Sequence, residues 1–402
     1  MSQAADPRLA LARARPKRHV RVSWSDPAFR SIVWQMLIVG AVAGIIWYLI
    51  RNTSANLAAR HIATGFGFLD RTAGIPVGES LLPYDPSVNT YGWALLIGLL
   101  NTLEVAVIGI ILATVLGTVI GIGRLSSNWL LSKLTACYVE TLRDLPLLLQ
   151  LFFWYTLLQG LPGPKQAFHL GSIAFLSSRG LKLPLLDWQP AHSAALVALG
   201  LGIAGTIVAN RRARRRQEAT GVRPAVWPVA LGLLVGLPVL AWAALGAPFQ
   251  VDLPALRGFN IQGGLTVSPE FFALLLGLVT YTASYIAEIV RSGIQAIPRG
   301  QWEAAGALGL SNGETLRQVV LPQALRIIIP PMTSQYLNLT KNSSLAIAIG
   351  FQDIVSIANT TLNQTGQAIE GIAIIMAVYL SISLSISLFM NWYNAHIALV
   401  ER

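Results

Sequence analysis

The chain has 402 residues, of which 54% are hydrophobic and only 12% charged, with a mean hydropathy of +0.58. Soluble domains carry about 25% charged residues, so this composition excludes a soluble enzyme of this size, a disordered chain and a nucleic-acid-coating protein. The net charge of +11 fits either a polyanionic partner or basic loops held on the cytoplasmic side of a membrane, and the positions of the charges separate the two.

Residues 1–30 hold seven Lys/Arg against two acids. No apolar run with a small-residue cleavage site follows, so the segment reads as a basic cytoplasmic tail and not as a cleaved signal. Residues 31–50 then carry no charge. Twenty such residues cross a hydrocarbon core of about 30 Å at about 1.5 Å per residue, and Gly40 and Gly44 allow close helix contact. Residues 51–90 are polar and contain Pro, Gly and Asp. The run Tyr91–Gly123 is a second span, interrupted by Glu104 and long enough to tilt. A third span covers about 134–158, with Glu140, Arg143 and Asp144 in its first half. Its single cysteine, Cys137, excludes an internal disulfide framework and reads as a packing residue. Residues 192–210 and 225–247, both uncharged, form a fourth and a fifth. The sixth is 271–289, the seventh is 326–350 with Lys341 inside it, and the eighth is 371–392.

The expected fold is therefore an all-α integral membrane protein with about eight transmembrane helices and both termini on one side. With the N-terminus inside, the cytoplasmic segments hold 20 of the 29 basic residues and the outer ones 7, leaving Arg143 and Lys341 within spans. That asymmetry predicts an N-in/C-in topology. The arginine run at 211–216 is on this reading a topology anchor, with no nucleic-acid partner.

Much familiar chemistry is missing. No Gly-Lys pair exists to build a phosphate loop. The histidines, at 19, 61, 169, 192 and 396, show no metal-ligand spacing. The run Gly309-Leu310-Ser311-Asn312-Gly313 fits G-x-S-x-G, but a nucleophile elbow needs a preceding strand and a histidine partner. Residues 302–308 before it look helical. Ser311 reads better as a helix cap, with Glu314 completing a capping box. Energy for transport must then come from another subunit or from a gradient.

The stretch 291–325 is the most informative. It reads Glu303-Ala304-Ala305, three residues, Gly309, nine residues, then Val319-Val320-Leu321-Pro322. Residues 301–308 predict a short Ala-rich helix with Glu near its start. Gly309 suits a C-terminal cap needing positive φ. The Ser311 box opens a second short helix through Leu321, which Pro322 is expected to limit. Two short helices at an angle make a rigid knob that transmits force to a soluble partner; the plainer reading is a loop packed on its own bundle.

This segment resembles the EAA motif of permease subunits of ABC importers: E-A-A, three residues, G, nine residues, I, one residue, L-P, with Val319 in place of Ile. Other stretches are similar to the polar amino-acid uptake branch: Gly98-x-x-Asn101-Thr102-Leu103, Arg143-Asp144-Leu145-Pro146-Leu147-Leu148-x-Gln150, Glu288-x-x-Arg291-x-Gly293-Ile294, and Leu339-Thr340-Lys341-Asn342-Ser343-Ser344-Leu345. Asp144 and Leu145 depart from the usual R-G-T-P-L-L-x-Q.

The resemblance implies a five-helix type I importer core over 91–160 and 269–393, enlarged by the extra helix 31–50 and by an insertion at 161–268 with two more spans. Residues 394–402 would be a cytoplasmic tail. It implies a coupling site of Glu303, Ala304, Ala305 and Gly309 with Arg299, Gly300 and Gln301 beside it. It also implies a bacterial inner-membrane permease for L-amino acids, of the general L-amino-acid type. Its partners would be a second homologous permease in a heterodimer, two ATP-binding subunits that hold ATP and Mg, and a periplasmic binding protein. This chain itself would be no enzyme and would hold no cofactor or metal.

A charge at membrane depth costs about 2.5–3.5 kcal/mol on insertion scales, so it faces a partner or a water-filled cavity. Lys341 and Asn342 follow the expected Pro330-Pro331 break, and Arg143 and Asp144 adjoin Pro146. Broken helices expose backbone where a pathway passes. Arg143, Asp144, Gln150, Lys341, Asn342, Ser343 and Ser344 are thus the candidate substrate pathway. The alternative is internal ion pairing, Arg143 with Asp144 or Glu140 and Lys341 with Glu104. A gradient-driven carrier or channel and, more remotely, a membrane hydrolase remain the competing functions.

Overall fold

The computed structural model describes residues 24, 27–59, 64–171 and 173–397. Most of the basic tail, the last five residues, His19 and His61 lie outside these. The chain divides into two units, 1–65 with 365–367, and 66–364 with 368–402.

In the first unit, helix α1 spans Pro27–Ala59, about 50 Å at 1.5 Å per residue. It contains the predicted 31–50 and runs on past Arg51, whose guanidinium sits 5.4 Å from the Trp47 ring centroid. An aromatic ring beside a basic residue suits the polar edge of a bilayer.

In the second unit, residues 66–90 form an ordered cover and not a free loop. Phe68, Ala73 and Ile75 are buried with Tyr91, Leu95, Ile354 and Ile357. Thr90 then caps helix α2, Tyr91–Gly123. The expected third span is two helices, α3 Trp129–Asp144 and α4 Leu147–Gln159. Leu145 is extended (φ −90°, ψ 130°) because the ring of Pro146 disfavours α geometry in the residue before it. Cys137 is exposed, contrary to its expected packing role, because α3 turns Val139 and Tyr138 inward. Val139 is buried, and the Tyr138 hydroxyl donates to the Thr280 carbonyl at 2.8 Å.

The insertion contains short strands that hydropathy alone did not reveal. They are β1 Phe168–Leu170, β2 Ala174–Ser177, β3 Gly180–Leu183, β4 Leu185–Leu186, β5 Val251–Asp252, β6 Ala255–Arg257, β7 Asn260–Gln262 and β8 Leu265–Val267. One antiparallel sheet has the order β1-β2-β3-β8, with Leu181 opposite Val267. It joins two loops that lie some eighty residues apart in sequence. Between β4 and β5 run α5 Pro190–Thr220, α6 Trp227–Leu231, a π-turn at Gly232–Gly236 and α7 Leu237–Ala244. Helix α5 carries the arginine run beyond the predicted span to Gly221, which ends it at φ 74°. That run was expected in a loop; here Arg214 pairs with Glu218 at 3.4 Å, one helical turn away.

Helix α8, Pro269–Gln295, is the centre of the second unit and packs against α2, α3, α4 and the later α11, Leu321–Asn342. Small residues bring α2 and α8 together. A Cβ on Gly117 would lie 2.7 Å from Ile286 Cβ, and one on Gly121 would lie 2.6 Å from the Ala287 carbonyl oxygen. Lipid tails give no hydrophobic incentive for helices to associate, so close backbone packing of this kind supplies much of the attraction.

After α8 come α9 Arg299–Ala307 and α10 Asn312–Thr315. A π-turn, Leu316–Val320, leads into α11. Two proline expectations are corrected here. Pro322 does not end the second short helix, because the wide turn ahead of it lets the Leu321 N–H reach the Leu316 carbonyl, and Pro322 itself needs no N–H in the new first turn. Pro330 and Pro331 lie inside α11 without breaking it.

The break comes later, at a 3-10 stretch Ser343–Ile349. The run Asn312–Ile349 and α12, Ile354–Thr365, then meet at 52° across residues 350–353. Helix α13, Ala368–Ile397, is the last described element. Six described helices are long and apolar enough to span, or seven if the bent pair is one span. The third predicted span falls outside that count because it is broken in two. The membrane part is helical as expected, and the strands belong to the insertion and not to the core.

Gly121→Val should disrupt the α2–α8 seam and cost about 1–3 kcal/mol, the usual range for overpacking. A lowered unfolding midpoint of the detergent-solubilised protein, compared with Gly40→Val on α1, checks this.

Candidate functional site

The first candidate is the knob at 299–315. Helix α9 ends in a complete Schellman motif: the Leu310 N–H donates to the Ala305 carbonyl and the Gly309 N–H to the Gly306 carbonyl, with Gly309 at φ 78°. This left-handed position is open to glycine without a Cβ penalty. Helix α10 starts two residues later in the predicted capping box. The Ser311 N–H donates to Glu314 Oε2 at 2.9 Å, and Ser311 Oγ accepts from the Glu314 N–H at 3.4 Å. The Ser311 hydroxyl, which donates to Glu314 Oε2 at 2.7 Å, and after it the Ser311 N–H hold the Glu314 carboxyl below its ordinary value of 4.5.

The knob is anchored from below. Ala305 is buried, Trp302 packs against the cluster of Val290, Ile297, Val320 and Ala324, and Gln323 Nε2 donates to Gln301 Oε1 at 3.2 Å. Arg299, Gly300, Gln301, Glu303, Ala304 and Gly309 are exposed. Of the predicted coupling residues, only Ala305 faces inward. The residue missed by sequence reasoning is Leu308, 82% exposed at the tip. Its signal was an apolar residue in the C-cap position, between a polar helix and Gly309.

The second candidate is the pair of helix breaks. At the first, Gln150 is buried, and its Nε2 donates to the carbonyls of Leu142 and Leu145 at 2.9 and 3.1 Å. These are carbonyls that the end of α3 leaves without helical partners. At the second, Ser343 Oγ donates to the Thr340 carbonyl and Ser344 Oγ to that of Lys341, at 2.7 and 2.8 Å. The chain beyond is pinned by α2. Asn101 Nδ2 donates to the Gln352 carbonyl at 2.9 Å, and the Ile354 N–H donates to Thr102 Oγ1 at 3.1 Å. Leu147 and Leu151 beyond one break share a core cluster with Ala346 and Ile349 within the other, so the fold brings the two interruptions together.

The charges at the breaks are arranged differently from the expected internal pairs. Arg143, Asp144 and Lys341 are exposed, and none takes part in a salt bridge among the described residues. Arg143 lies over the Tyr285 ring, 5.1 Å from its centroid, and the Tyr285 and Tyr281 hydroxyls are 3.1 Å apart. Glu140 approaches Arg124 instead, at 4.0 Å. Arg124 also pairs with Glu288, which Arg291 holds through Nε at 3.0 Å. Arg124 outcompetes Arg143 because it leaves the end of α2 beside α8, where tertiary packing places Glu288. Asn342 is half-buried and Ser343 buried. Among the described residues no group of His, Cys, Asp and Glu is suited to a metal ion.

Known proteins of similar sequence carry this constellation to a family. Residues 225–399 match the family described as the binding-protein-dependent transport system inner membrane component. The chain is 52% identical over 385 residues to the general L-amino acid transport system permease protein AapQ of Rhizobium johnstonii, covering 95% of this chain and 96% of that one. It is also 52% identical to the putative amino-acid ABC transporter permease protein YhdX of Escherichia coli K12, covering 95% and 97%. A crystal structure of an amino acid ABC transporter with histidines overlays 76% of this chain and 95% of that one at a TM-score of 0.44 and 20% identity. With both relatives aligned along nearly their whole length, the chain belongs to the permease subunits of binding-protein-dependent ABC importers, multi-pass membrane proteins that work with a second permease, a binding protein and separate subunits that hydrolyse ATP.

Proposed function

We propose that this permease belongs to a general L-amino-acid importer of a bacterial inner membrane, with both termini in the cytoplasm. It pairs with a second, different permease, and two ATP-binding subunits drive the pair. The observation that carries the coupling role is the doubly capped knob: a Schellman turn and a capping box within ten residues hold Glu303, Ala304 and Leu308 outward on rigid backbone. A surface so held moves as a body with α11, to which α10 is continuous through the π-turn.

The free charges support the substrate reading. An amino acid presents a carboxylate and an ammonium. Arg143 and Lys341 suit the first and Asp144 the second, with Asn342 and Ser344 beside them. Gln150 and Ser343 hold the breaks in shape from within. Two unpaired cations next to broken helices fit a pathway better than a structural pair does. The relatives' names, general L-amino acid and amino-acid transport, agree in substrate class.

Four outcomes are expected. A tagged chain should copurify an ATPase, and Gly309→Val, which forces a β-branched residue into left-handed geometry at about 1–2 kcal/mol, should cut uptake by proteoliposomes about tenfold while basal hydrolysis persists. Transport by this chain alone in liposomes would overturn the reading. Lys341→Met should reduce both uptake and substrate-stimulated hydrolysis; wild-type values of both would remove Lys341 from the pathway. The Glu314 cap is a depressed-carboxylate case, so its stabilisation is complete above the ordinary Glu range and is lost as pH falls through the lower folded value. A fall in the amide protection factors at 311–315, taken relative to intrinsic exchange at each pH, only on acidification below about pH 4.5 checks the sign.

A further inference from the structure

At the Pro269 end of α8, far from the knob, a cavity of about 500 Å³ opens between four chain-distant segments. Its charged walls are Glu79 from the cover, Glu104 from α2 and Arg179 from the turn between β2 and β3. Ile108 and Phe271 form an apolar side. The volume lies within the range of about 300–1,000 Å³ usual for small-molecule sites.

The charges are not satisfied by one another. Glu79 accepts a hydrogen bond from the Ser268 N–H. Glu104 has no hydrogen bond or salt bridge among the described residues, and the Arg179 guanidinium has none either. Glu104 lies thirteen residues into α2, about 20 Å along it, where an ionisable group without a partner points to function. A second space of about 380 Å³ shares Gly78, Glu79 and Ser268 as walls. It is lined by Asn101, whose buried Oδ1 has no hydrogen-bond partner although Nδ2 makes two bonds.

We propose that this cavity is a binding site for free α-amino acids, with Glu104 and Glu79 receiving the ammonium and Arg179 the α-carboxylate. Opposite charges that line one space without pairing match a zwitterion, and a guanidinium fork suits a carboxylate bidentately. The apolar wall accepts the side chain without specifying it. The insertion and the cover thereby supply a station separate from the helix breaks: Arg179 comes from the insertion, and Glu79 from the segment before α2. This inference rests on the importer reading above and adds a site to it.

The test uses the complete complex, reconstituted with its binding protein, and a labelled mixture of L-amino acids. Glu104→Gln and Arg179→Gln should each lower uptake at saturating binding protein at least fivefold. Arg179→Lys should recover part of the loss. Arg179 sits on an exposed turn, so its variants decide the matter even if Glu104→Gln fails to assemble. Without binding protein, L-glutamine should raise the melting temperature of the solubilised complex, and glutaramate, which lacks the ammonium, should not. Wild-type uptake in Arg179→Gln, or an equal shift with glutaramate, overturns the site and leaves the importer reading standing. Absence of ATP-driven uptake by the wild-type complex overturns both.

Discussion

Everything in the second unit is referred to the seam between α2 and α8. Gly117 and Gly121 let the α8 backbone approach so closely that a single methyl group would overlap it. In a bilayer this contact has to come from shape, since burying an apolar side chain against protein gains little over burying it in lipid. Once α8 is set on α2, its other faces receive α3, α4 and α11. The same seam ends in Arg124, Glu288 and Arg291. A guanidinium from one helix thus locks the register of the other where the small residues stop.

Irregular backbone is the second constraint. Each departure from helix leaves carbonyls or N–H groups that water does not reach freely, and each is answered by a side chain. Gln150 serves the end of α3, Ser343 and Ser344 serve the end of α11, and Asn101 and Thr102 hold the segment beyond it. The knob uses the same device through Ser311 and Glu314. These groups convert sites of potential looseness into fixed geometry, which the proposed coupling and pathway roles require.

Much of this was legible in the residues themselves. The spans at Tyr91–Gly123 and around 271–289 follow from apolar runs whose length the bilayer dictates. The Schellman turn at Gly309 and the capping box at Ser311 are local motifs, complete within a few residues, so their spacing alone predicts them. The expectation for Pro322 failed for one reason. Whether a proline ends a helix depends on how neighbouring turns redistribute hydrogen bonds, as the π-turn before Pro322 does, and no local rule contains that. The strands of the insertion were missed because each has only two to four residues, too few for a periodicity to read, and two of their pairings, β3 with β8 and β4 with β5, cross some sixty to eighty residues of sequence.

The sequence by itself determined that the chain crosses a membrane, where most spans fall, and which loop carries the knob, because hydropathy and capping act within one turn or one bilayer thickness. Only the tertiary structure decided which charges are partners. Arg143 and Glu140 are three residues apart, yet Glu140 turns to Arg124 and Arg143 to Tyr285, because the packing of α2 and α3 on α8 chooses the nearest opposite group. It also gathered Glu79, Glu104 and Arg179 around one cavity from three distant segments. An ion pair depends on distances of a few ångströms that only the packed helices establish.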